Sequence, residues 1–167
     1  MSIFFNKLVK ETAENSRLTE QHQHIQHGKT SCLLHSIAVA YYSFKFVNFF
    51  RKNKVLDNSL IRGALLQDYF LYDWHTGDEG TNLHGFLHPK RALENANKDF
   101  ELNDIEANII KNHMFPLTPV PPKYFESITV CLLDKICSIY ETFKAKAYMN
   151  HFPIQSALSV ALETSET

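Results

Sequence analysis

Only five glycines and six prolines interrupt a chain of 167 residues, and the long segments between them place apolar side chains every three or four positions. That spacing lays apolar groups along one side of an α-helix, whereas a half-buried strand needs strict alternation. The expected fold is therefore all-α, a single-domain helical bundle over residues 1–167. A chain of this length buries about 70% of the surface its unfolded form exposes, enough to hold together without disulfides or a structural metal. Three cysteines cannot all pair with one another. Cys32, Cys131 and Cys137 each lie in an apolar helical run, where a free thiol behaves as a small buried hydrophobe.

Charge narrows the function classes. Seventeen Lys and Arg against eighteen Asp and Glu give a net charge of −1, which argues against a nucleic-acid binder with a broad basic face and leaves room for a local basic pocket. The opening residues Met1–Lys7 carry no basic segment ahead of their apolar residues and no small-residue cleavage site, so no secretion signal is expected. With the free cysteines, this points to the cytoplasm. The most apolar stretch, Cys32 to Phe50, contains His35, Ser36, Ser43, Lys45 and Asn48, and reads as a buried helix rather than a membrane span.

Along the chain, a first helix is expected over roughly 3–15. The polar stretch 21–28 has no core-forming pattern, so His22, His24 and His27 read as solvated residues of a connector. A central helix follows over about 31–52. A third starts near Asp57 as N-cap, turns Leu60, Ile61, Ala64, Leu65 and Tyr69 inward, and ends between Asp68 and Tyr72. The segment 73–87 is irregular. His88-Pro89 is expected to open the next helix, and Asn103 with Glu106 forms a capping signal for a helix reaching His113. The proline-rich Phe115–Pro122 is a loop and a candidate rim for a pocket. A long helix over about 122–148 and a short one after Pro153 close the chain. Tyr69, Phe70, Tyr72 and Trp74 form either a stacking wall or core.

The chemistry sits where burial is costly. His35, Asp68 and Asp134 each interrupt an apolar helical run. A buried carboxylate without a cation costs several kcal/mol, so the two aspartates need a metal ion or a basic side chain. One divalent cation satisfies both, with His35 adding a nitrogen ligand. Lys90, Arg91, Lys111 and Lys135 lie next to these ligands in sequence and could supply charge for an anion. Cys131 and Cys137 lack the spacing of a zinc knuckle.

These residues resemble the HD-domain metal-dependent phosphohydrolases, whose pattern is a His, a His-Asp pair at a helix end, and a distant Asp. Here His35 takes the first place, Gln67-Asp68 the second and Asp134 the last, over a resemblance spanning about 31–143. His88 and His113 match the extra histidines of family members that hold two metals. The resemblance implies an HD-type bundle with one or two divalent ions, zinc, iron, manganese, cobalt or magnesium, held by His35, Gln67, Asp68, His88, His113 and Asp134. It also implies hydrolysis of a small phosphorylated substrate, such as a nucleotide, by metal-activated water. Asp68, Asp73 and Lys135 are the expected catalytic residues, and Lys90, Arg91 and His84 the substrate-binding ones. The departure is Gln67, whose neutral amide is a poorer ligand than imidazole and implies weaker metal binding unless His84 or His75 fills in. The alternative is an HD-like domain that binds a nucleotide or protein partner without turnover.

Overall fold

The computed structural model describes residues 2–14, 16–50, 54–71, 84–144 and 146–164. It is mostly helical: α1 (Ser2–Ala13), α2 (Cys32–Phe50), α3 (Lys54–Leu66), α4 (His84–Asp99), α5 (Asp104–Asn112), α6 (Phe125–Phe143) and α7 (Phe152–Glu163). Helix α2 is central and packs against α3, α6 and α7, while α5 bridges α3, α4 and α6. Its near-continuous apolar sequence is what that position requires, since Leu33, Ile37, Ala38, Val39 and Ala40 are all buried. No helix among the described residues is long and apolar enough to cross a membrane.

Polar ties fix the helices around this core. Asn103 accepts from the Ile105 and Glu106 amides at 3.0 Å, and Glu106 reaches back to the Asn103 amide, the reciprocal cap the sequence implies. Arg62 on α3 grips the same Glu106 at 2.7 and 2.8 Å, joining α3 to α5. Tyr69 donates to Asp99 at 2.7 Å and accepts from the Arg17 amide at 2.8 Å, so its ring belongs to the core and not to a stacking platform.

Several boundaries differ from expectation. Helix α3 begins three residues before Asp57, which sits in its first turn and complements the helix dipole rather than capping it. Helix α4 begins at His84, so Pro89 lies inside it and removes one hydrogen bond near its start. Helix α7 is twelve residues long. The largest difference is at 21–28. A 3-10 helix (Leu18–Gln23) leads into an antiparallel hairpin, β1 (Ile25–His27) with β2 (Thr30–Ser31), in which Gln21 and Gln26 are buried. Its polar side chains pair with polar groups of the site rather than with apolar core, so the segment carries no hydrophobic period.

The hairpin turns at Gly28, whose φ of 59° lies in the left-handed region, and a Cβ there would stand 2.7 Å from the Glu141 carbonyl oxygen on α6. Both the backbone strain and the contact with a helix carbonyl oppose any side chain. Gly28→Ala is expected to destabilise the fold by about 2 kcal/mol. A thermal unfolding midpoint equal to that of the unsubstituted chain would contradict this.

Candidate metal centre

Five elements converge on one buried polar cluster. His35 is on the first turn of α2, Gln67 and Asp68 follow the last residue of α3, His88 is on α4, His113 ends α5, and Asp134 lies midway along α6. All six side chains are buried. Asp68 sits at the carboxyl end of α3, where the helix dipole is negative, so both burial and dipole demand a positive partner.

The two Asp68 oxygens face different partners. Oδ1 stands 3.3 Å from His88 Nε2 and 3.6 Å from His113 Nε2, and those two nitrogens are 2.8 Å apart. A circle through these three atoms has a radius of about 1.9 Å, so a point just off their plane lies ~2.1 Å from each, the length of a zinc–imidazole bond. Oδ2 stands 3.5 Å from His35 Nε2, which is 3.0 Å from Asp134 Oδ1. Each trio has its ligand atoms close enough to hold a metal ion. Asp68 belongs to both.

The surroundings orient the ligands. His35 Nδ1 lies 2.9 and 3.0 Å from the two oxygens of Glu141, which in turn accepts from Tyr148 Oη at 2.9 Å. His113 Nδ1 lies 2.9 Å from the Ile110 carbonyl. A proton on each Nδ1 leaves Nε2 of both rings directed at the cluster, the usual arrangement of metal-binding histidines. Gln26 donates to Asp68 Oδ2 at 2.9 Å and accepts from Cys32 Sγ at 3.2 Å. The His27 ring meets the His35 ring edge-on at 5.3 Å.

Electrostatics draw positive charge to the site. Burial alone favours a neutral His35, but Glu141, Asp134 and Asp68 raise its pKa well above 6.5. Burial likewise opposes charge on Asp68, yet His113 and His88 hold it well below the ordinary carboxylate range. Asp134 is lowered by His35 against the same burial penalty. His113 is raised by Asp68, again against burial. Asp68, Asp134 and Glu141 together demand cationic partners, and the described protein groups in contact with Asp68 are imidazoles and one amide.

Gln67 stands beside the His35 trio. It is fully buried, with Nε2 3.4 Å from both His35 Nε2 and Asp134 Oδ1, while its Oε1 is buried without a hydrogen-bond partner. The two ends of an amide are alike in shape, and rotation by 180° turns the oxygen toward the His35 trio. The residue therefore fits as a weak oxygen ligand.

A cavity of about 560 Å³ opens onto both trios, with Gln26, His27, Met114, Pro116, Leu117, Lys135 and Ser138 completing its wall. The proline-rich segment thus contributes a rim. Lys135 directs its ammonium at the His113 and Cys131 carbonyls, 2.7 and 3.1 Å away, and lies 3.8 Å from Asp134. Lys90 and Arg91, expected to bind substrate, are both exposed and do not line this cavity, and Lys90 lies beside Glu94. Lys111 is likewise exposed. Asp73, His75, Tyr72 and Trp74 lie outside the described residues, as does the side chain of His84.

Sequence reasoning missed Gln26, His27, Glu141 and Tyr148. His27 is half-buried against His35 rather than solvated. Glu141 had a legible signal, because Asp134, Ser138 and Glu141 are spaced four and three apart and so share one helix face. The fully buried His35 and the cavity-lining His88 and His113 all lie within 3.6 Å of the Asp68 carboxylate. Compared with protein-family models, with curated proteins and with solved structures, the chain matches none.

Proposed function

We propose that this chain is a metal-dependent phosphohydrolase of the HD-domain type, acting on a small phosphorylated substrate such as a nucleotide. The observation that carries the reading is the Asp68 carboxylate, whose two oxygens face two separate histidine-containing trios. Imidazole with carboxylate suits zinc, iron, manganese or cobalt. Such a cation supplies an activated water at neutral pH and polarises a phosphoryl oxygen. His35 and Asp134 would hold one ion and His88 and His113 another, and Asp68 belongs to both groups. Glu141 and the Ile110 carbonyl keep the Nε2 lone pairs on target. Lys135, on the cavity wall, supplies positive charge for the phosphate. The cavity volume suits a ligand of nucleotide size.

Gln67 favours a second reading: the same site, with a weakened first ion, binds its ligand without turnover. Loss of a supporting group around a metal costs about 10- to 100-fold in affinity or activity, and loss of a direct imidazole costs at least as much. Replacing Gln67 with His is therefore expected to raise bound metal per chain and to raise hydrolysis of phosphate esters at least ~10-fold. Elemental analysis and a screen of esters and nucleotides check this. More metal without more hydrolysis selects the binding reading, and no change in either contradicts the ligand role of position 67.

A further inference from the structure

Helix α6 buries charged side chains beside Val130, Cys131 and Cys137 and leaves a row of apolar ones exposed. Glu126, Asp134 and Glu141 are buried, and the Lys135 ammonium is turned onto backbone carbonyls. Its outer face instead carries Phe125, Ile128, Leu132, Ile136, Ile139 and Phe143, in steps of three or four residues, with Tyr140 beside them. Each is exposed, Phe143 by 85% and Ile139 by 61%. The stripe runs the ~28 Å length of a 19-residue helix. No other described segment covers it.

We propose that this face is the contact surface for a second copy of the chain, paired through α6 about a twofold axis near Ile136. Three observations favour that occupant. The exposed parts of the seven side chains amount to roughly 700 Å² of mostly apolar surface, close to the ~800 Å² each partner gives to a stable interface. None of the seven side chains is charged, and Lys135 at the stripe's edge turns its ammonium onto the His113 and Cys131 carbonyls, so like charges are kept from meeting across a twofold axis. The helix is also flanked by two largely apolar hollows, one lined by Phe115, Pro121, Ile128 and Leu132 with Lys135 at its edge, the other by Tyr42, Ile136, Tyr140 and Tyr148. An antiparallel partner brings its protruding Phe143 to the amino-terminal hollow, and the twofold repeats that contact. The inference is independent of the metal site.

Sedimentation equilibrium of the full chain at about 50 µM, well above the dissociation constant expected of such an interface, tests it. The expected mass is twice 19.3 kDa. Ile136→Lys sets two ammonium groups against each other and is expected to weaken pairing at least ~100-fold, giving 19.3 kDa with unchanged helix content. If that variant loses helix content, Ile139→Lys is read in its place. A monomeric unsubstituted chain overturns the proposal, including the case in which a segment of the same chain covers the stripe. A dimer that survives a folded substitution also overturns it.

Discussion

Asp68→Asn should empty both trios at once. Asparagine keeps the shape but removes the negative charge, and each trio is left with one anionic ligand or none: Asp134 with His35, and His88 with His113 alone. Metal affinity is expected to fall by more than the 10- to 100-fold typical of a lost supporting residue, and any phosphohydrolase activity by at least ~10³-fold. The fold should survive in part because the amide oxygen still accepts from Gln26, now 2.9 Å from Oδ2. Bound metal after exhaustive dialysis, measured on the variant and the unsubstituted chain, checks the result. Equal metal content in the two would mean that Asp68 is not shared between ions.

Glu141→Gln should have the next largest effect, although the residue does not line the cavity. In the native arrangement a carboxylate faces His35 Nδ1 and accepts from Tyr148. A glutamine that keeps the Tyr148 bond through its oxygen presents its NH2 to His35, donor against donor. The ring then carries its proton on Nε2, which blocks the lone pair aimed at Asp68 and Asp134. The expected outcome is a 10- to 100-fold loss of metal affinity with the helix content intact. Tyr148→Phe should give a smaller loss, because the carboxylate remains. If Glu141→Gln binds metal as the native chain does, His35 is not oriented through its Nδ1.

His35, Asp68 and Asp134 were legible because each breaks an apolar helical run, and burial of such groups is costly without a common cation. The bundle was legible for a related reason: α2 reads as apolar on all sides, and from Cys32 to Phe44 no residue of it is exposed. The hairpin was not. Gln26 and His27 are held by contacts to Asp68 and His35, partners 42 and eight residues away, which no local period reports. Helix α6 misleads in the opposite sense, since an apolar stripe is ordinarily read as the core face and here it points outward. Its polar residues sit inward because the site itself, with Asp134 and Glu141, replaces part of the core. Lys90 is close to His88 in sequence but stands two positions from it, and residues two apart on a helix point to different faces.

The most direct test is anomalous diffraction from a crystal grown with manganese. The account predicts a peak at bonding distance, ~2.1 Å, from Asp68 Oδ1, His88 Nε2 and His113 Nε2, with a second, weaker peak beside His35 and Asp134. A crystal with manganese in the solvent and no peak within reach of the Asp68 carboxylate would contradict it.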